Sequence, residues 1–184
     1  MHNEKKLAVI FPGMGYHKDK PLLYYSARLA QSMGYEVNAI TYHDLPLETG
    51  TLDEVAKEVI LQAEEHLLKI DLKEYKKIVF IGKSIGTTAL AKYAAEHDVE
   101  TGQIWYTPVT ATFSYPSETC IAFIGDADPC SDVAELKKMA AAKQIPLHTY
   151  PDCNHSLECG NTEQDLRTLQ DVMQKTEQFL KNTF

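Results

Sequence analysis

Short apolar runs alternate along this chain with longer stretches in which apolar residues return every three or four positions. The runs lie at residues 7–11, 36–41, 77–81, 103–107, 120–124 and 146–150. The most apolar of them, 7–11 and 78–81, carry no alternation of polar and apolar residues. That predicts strands buried on both faces, as in a parallel sheet. The periodic stretches predict helices at about 21–33, 52–70, 87–97, 132–143 and 163–181. Pro21 opens the first and Gly34 stops it, with Leu22, Ser26, Leu29, Ala30 and Met33 on one face. Thr51 and Glu54 read as a capping box for the second, whose inner face is Val55, Val59, Ala63, His66, Leu67 and Ile70. The last turns Leu166, Leu169, Val172, Met173, Thr176, Phe179 and Leu180 inward. Strand and helix in strict succession predict an α/β fold: three layers, doubly wound, with a mainly parallel six-stranded sheet between helices.

One connection breaks the succession. Residues 108–119 are rich in Thr, Ser, Tyr and Pro and have no helical period, so they predict an irregular crossover. No repeat or linker interrupts the rest, and residues 1–184 read as one domain.

Composition narrows the function classes. A formal net charge of -8, with no basic cluster, argues against nucleic-acid and anionic-membrane partners. Residues 1–6 lead into five apolar residues, too few for a secretory core, and no run is long enough to span a bilayer. A cytoplasmic location follows as the expectation, and there Cys120, Cys130, Cys153 and Cys159 stay thiols, most with packing roles.

The chemistry concentrates where strands end. Gly82-Lys83-Ser84-Ile85-Gly86 follows the third strand and opens the third helix, the setting of a nucleophile elbow. The overlapping Gly82-Lys83-Ser84 imitates the end of a phosphate loop, but position 77 is Lys where that loop needs Gly. Gly13-Met14-Gly15 is not a dinucleotide fingerprint either, since Lys18 stands at the third glycine position. A serine nucleophile needs a base and a group that orients the base. After the fifth strand come Gly125, Asp126, Asp128 and Pro129, and after the sixth come Asn154-His155-Ser156-Leu157. Acid and imidazole thus follow the serine in order, each behind its own strand. The spacing of Cys153, His155 and Cys159 matches no zinc pattern, and neither metal nor cofactor is expected.

Through the elbow, the Gly125-x-x-Asp128-Pro129 turn and the Asn154-to-Leu157 segment, the chain resembles the α/β-hydrolase superfamily over nearly its whole length. Phe11-Pro12-Gly13-Met14-Gly15 is similar to its oxyanion loop, with proline where histidine often stands. The resemblance implies a minimal, cap-less fold in which the first strand pairs with the third and Gly13 adjoins Ser84. It implies Ser84 as nucleophile, His155 as base and acid, Asp128 as orienting carboxylate, and the Met14 and Ile85 amides as oxyanion donors. Asp126 is the competing acid, and the family's spacing favours Asp128.

Tyr16, His17 and Tyr106 are candidate substrate-binding residues by loop position, together with Phe113 and Tyr115. Lys83 is unusual inside an elbow, although some small dienelactone-hydrolase-like members resemble the chain there; its structural reading is a solvent-exposed side chain. The expected activity is hydrolysis of a small carboxylic ester or thioester. A non-catalytic ligand-binding protein on the same fold and C–C bond hydrolysis are the alternatives. The sequence does not fix the oligomeric state.

Overall fold

Six strands assemble into a single sheet in the order β2-β1-β3-β4-β5-β6, and every pairing is parallel. They are β1 (Lys6–Phe11), β2 (Glu36–Ala39), β3 (Lys77–Lys83), β4 (Gly102–Tyr106), β5 (Cys120–Gly125) and β6 (Leu147–Tyr150). The computed structural model describes residues 4–183, so the leader reading of residues 1–3 falls outside the described residues. The predicted runs match the strands to within two residues at either end. The main departures are at two carboxyl ends: β3 continues through Lys83 to the turn at Ser84, and β2 stops at Ala39.

The helices are α1 (Pro21–Ser32), α2 (Leu52–Leu67), α3 (Ile85–Glu96), α4 (Val133–Ala142) and α5 (Thr162–Asn182). Their starts follow local chemistry. Pro21 supplies a preset φ and lacks only an amide that would be unpaired there anyway. The Thr51 hydroxyl accepts from the Glu54 amide at 3.3 Å while Glu54 Oε2 accepts from the Thr51 amide at 2.7 Å, the reciprocal box expected from the sequence. Asp132 and Asn161 cap α4 and α5, each side chain accepting from the amide three residues on, that of Glu135 and that of Gln164.

Helices lie on both faces of the sheet. One core joins Leu7, Val9, Phe80 and Trp105 to Val59 of α2, Leu90 of α3 and Leu136 of α4. The other joins Ala8, Ile10, Ile81 and Tyr106 to Leu23 of α1 and Val172 of α5. Alternate residues of β1 and β3 face opposite cores, and both sets are buried, which is why these strands read as unbroken apolar runs. Leu166 corrects the inward face predicted for α5. It is 61% exposed, at the rim of a cleft of about 210 Å³ between Tyr16, Leu157 and Leu169.

The crossover between β4 and β5 holds one turn of 3-10 helix, Thr110–Ser114, where a full helix would otherwise stand. It is pinned to α3 by the Thr112 hydroxyl, 2.7 Å from that of Thr87 and 2.9 Å from that of Thr88. Phe113 packs edge-on against Trp105 at 5.3 Å. That connection is therefore part of the packed layer beside α3. Among the described residues no helix is long and apolar enough to cross a membrane.

Parallel strands place all their following loops on one edge. The order reverses between β1 and β3, so the loops after these two strands diverge to opposite faces and leave a crevice. The candidate chemistry sits there.

Candidate active site

Ser84 takes φ 55° and ψ -126°, a conformation costly for any side chain, between the end of β3 and the first residue of α3. The flanking glycines show why the turn can be so tight. A Cβ on Gly86 would lie 2.3 Å from the Phe11 carbonyl oxygen and 2.5 Å from that of Pro12. One on Gly82 would lie 2.5 Å from Leu90 Cδ2 and 3.0 Å from the Gly86 carbonyl. The elbow thus closes on itself and presses against the loop after β1. Gly13 lies in that loop, where an added Cβ would meet Ser84 Cβ at 3.2 Å. Phe11 pairs with Gly82 in the β1–β3 ladder, and this registers the two loops.

On the other side of the crevice, the loops after β5 and β6 bring Asp128 and His155 together. Asp128 Oδ2 lies 2.7 Å from His155 Nδ1, with no exposed side-chain surface on Asp128 and 21% on His155. An ionised carboxylate only accepts, so Nδ1 donates and the free lone pair of the neutral ring lies on Nε2. The second carboxylate oxygen, Oδ1, accepts from the Cys130 amide at 2.8 Å. Asp126 does something else: it is exposed, and its Oδ1 accepts from the Asp152 amide at 2.6 Å, tying the two loops together. Close approach of these loops also requires Gly125, where a Cβ would stand 2.0 Å from the Cys153 carbonyl oxygen.

Solved structures with the same architecture are numerous. An esterase from Pyrococcus furiosus superposes with a TM-score of 0.71 at 16% identity, over 98% of this chain and 83% of its own. Est1E from Butyrivibrio proteoclasticus gives 0.71 at 14% identity, over 96% and 87%. A lidless α/β serine hydrolase from Xanthomonas campestris gives 0.64 at 15% identity, over 97% and 82%. The chain has the α/β-hydrolase fold. No family model and no curated protein matches the chain.

Within that α/β-hydrolase fold, the remaining predicted site residues separate. The Met14 amide makes no hydrogen bond among the described residues, and the Ile85 amide is the first of α3, beyond the reach of the helix's own carbonyls. Ser84 Oγ makes no hydrogen bond to His155 among the described residues. Tyr16 is buried and its hydroxyl accepts from the Leu22 amide at 3.1 Å, yet one side of the ring lines the 210 Å³ cleft that also includes Ser156 and Leu157. His17 is exposed on a second cleft of about 300 Å³, lined by Gly13, Met14, Tyr42 and Leu45. Tyr106 belongs to the core: it is 0% exposed, and its hydroxyl lies 2.8 Å from that of Ser26 and 2.6 Å from that of Thr176. Phe113, on Trp105, is likewise packing.

Lys83 overturns the expectation of a solvated side chain. It is 1% exposed, with its ammonium 5.0 Å from the centre of the Tyr16 ring. Burial pulls its pKa down to about 7, opposed by the negative charge of Asp128 and, more weakly, by that of Cys130. The cause is the strand period: Lys83 is the last residue of β3 and points to the same face as Ile81 and Val79, beneath the loop after β1.

Two residues with no assigned role in the sequence also matter. Asn154 builds the turn that carries His155, its Oδ1 accepting from the amides of Ser156 at 2.7 Å and Glu158 at 3.2 Å. An Asx turn at Asn154 is legible in principle from Asn preceding a polar loop. Cys130, exposed, brings a sulfur beside the Asp128–His155 pair. Nothing in its spacing from His155 signals that, because α4 and β6 separate the two loops along the chain.

Proposed function

We propose that this chain is a serine hydrolase that cleaves a small carboxylic ester or thioester through an acyl-Ser84 intermediate. The observation that carries the reading is the 2.7 Å bond from His155 Nδ1 to a fully buried Asp128 carboxylate, on the same sheet edge as the strained Ser84 turn. Histidine held in this tautomer presents Nε2 as a base. Ser84 Oγ attacks the substrate carbonyl carbon while its proton passes to Nε2. The tetrahedral oxyanion accepts from the Met14 and Ile85 amides, each worth about 3 kcal/mol in comparable sites. Collapse breaks the bond to the alkoxide or thiolate, which takes the proton from His155. Water then repeats the sequence on the acyl-enzyme and releases the acid. The Ser84 to His155 hydrogen bond closes in the substrate complex, as is common for catalytic contacts that are long in the free enzyme.

The two clefts flank this centre with mainly apolar walls, which suits a small acyl or alcohol group. The esterase and serine hydrolase among the structural neighbours support the same class. A fluorophosphonate probe tests the reading. Wild type is expected to label at one serine and to hydrolyse p-nitrophenyl acetate, with both lost in Ser84→Ala. Absence of labelling in folded wild-type protein would leave a ligand-binding protein in place of an enzyme.

A further inference from the structure

The side chains of Asp128, Cys130 and His155 bring one carboxylate oxygen, one sulfur and one imidazole nitrogen within 4.8 Å of one another, the one group of three potential metal ligands among the described residues. We infer that these three residues form a binding site for a thiophilic divalent cation such as Zn²⁺, and that the bound ion switches the hydrolase off. Tetrahedral zinc with sulfur, nitrogen and oxygen ligands needs donor separations of about 3.3 to 3.6 Å. Asp128 and His155 are in contact at 2.7 Å. An ion that takes the place of the Nδ1 proton spreads them by about 0.6 to 0.9 Å. The ring then carries its proton on Nε2, and the sulfur approaches. Cys130 is exposed, so rotation of its side chain supplies that approach without moving the sheet.

The donor set selects the metal. A thiolate with an imidazole and a single carboxylate disfavours Mg²⁺ and Ca²⁺, which take oxygen ligands, and suits Zn²⁺. Two negative donors and one neutral one balance the ion's charge, and binding releases the thiol proton. The three protein ligands leave a fourth position for water, the arrangement of an open zinc site. Lys83 interacts electrostatically with both Asp128 and Cys130, and its positive charge opposes that of the ion.

Inhibition follows from which residues are taken, and this half of the inference rests on the proposed Ser84–His155–Asp128 chemistry. A metal on His155 and Asp128 removes both the base and its orienting carboxylate. Cys130 has no part in that chemistry: it gives Asp128 only its backbone amide, which any residue supplies. A change of its side chain therefore separates metal control from turnover.

The test uses the full chain, freed of metal with a chelator. Cobalt(II) titration of wild type is expected to give a thiolate-to-cobalt charge-transfer band, absent in Cys130→Ser. Zinc binding by calorimetry should weaken at least about tenfold in that variant and in Cys130→Ala. In the esterase assay, zinc should stop wild type reversibly with a chelator, and Cys130→Ser should need at least about tenfold more zinc while keeping its metal-free rate. No thiolate band in wild type, or equal zinc affinity in wild type and both variants, overturns the site. Binding with no loss of rate overturns the switch. Should the protein hydrolyse no ester, the cobalt band still decides the site, and the failure belongs to the proposed reaction.

Discussion

The loops after β5 and β6 hold the buried Asp128 by hydrogen bonds, whereas the buried Lys83 at the end of β3 is held by packing against the Tyr16 ring. Asp128 has one carboxylate oxygen on an imidazole and the other on a backbone amide, Asp126 ties the same two loops together, and Asn154 braces the turn that carries His155. Across the crevice Lys83 is equally buried, but its ammonium faces an aromatic ring and has no hydrogen bond or ion pair among the described residues. Its neighbours Ser84 and Gly86 are fixed by a strained turn and by contacts at the limit of approach. Burial therefore means two things in one site. On the acid–histidine side it is compensated, and removing a partner damages chemistry. On the elbow side the Tyr16 ring and the charge of Asp128 offset it only in part, and removing the ammonium relieves the fold.

The largest effect expected from this contrast is on the compensated side. Asp128→Asn keeps the shape but can leave the imidazole in the wrong tautomer, so kcat for an activated ester should fall by on the order of 10³ to 10⁴. Asp126→Asn should change kcat less than about twofold and cost under about 1 kcal/mol of stability, as only one exposed loop bond is altered. Steady-state kinetics of the two variants side by side check this. A reversed ranking would move the orienting acid to Asp126 and dissolve the contrast as drawn.

The same contrast explains what the sequence could and could not disclose. The succession of strands and helices and the elbow were legible because they rest on local signals: unbroken apolar runs, a capping box at Thr51, and glycines around Ser84; the pairing of the first strand with the third came only with the family resemblance. The Asp128 position was legible only with a family spacing beside it, since Asp126 and Asp128 are equal by composition. Lys83 was misread because charge normally marks solvent, and here the strand period carries a lysine under a loop that is distant in sequence. The place of Tyr106 in the core went the same way. Its hydroxyl is satisfied by Ser26 and Thr176, partners from α1 and α5 that no local window contains. Cys130 lacked any signal, because a helix and a strand of intervening chain separate it from its neighbour His155.

On the elbow side the first prediction concerns space. Gly86→Ala places a methyl group 2.3 Å from a carbonyl oxygen of the adjoining loop, which is backbone and cannot rotate away. The expected cost is about 3 kcal/mol, read as a lower denaturation midpoint in urea. Activity should fall as well, since the displaced residues are Phe11 and Pro12, two positions before the Met14 amide. Unchanged stability would mean that the elbow is looser than its contacts indicate.

The second concerns charge, and here the sign distinguishes the two sides. Lys83→Met retains the buried stem and removes the ammonium, so it should stabilise the protein at neutral pH by about 1 to 3 kcal/mol. Its dependence on pH follows from a folded pKa of about 7 against an ordinary value of 10.5. Below about 7 both folded and unfolded chains carry the proton, and the full penalty for burying the charge is present. Between these two values the unfolded chain binds more protons than the folded one, so wild-type stability gains on the variant by up to about 1.4 kcal/mol per pH unit. The advantage of Lys83→Met is thus largest under mildly acidic conditions and fades toward pH 10.5. Several buried tyrosines and Cys120 also titrate at the alkaline end, with pKa values raised by burial, but both proteins share them and the difference cancels their effect. Urea unfolding of wild type and variant at a series of pH values measures it. A variant less stable than wild type at every pH would show that the ammonium has a compensating partner after all, and the elbow would then be built like the loops it faces.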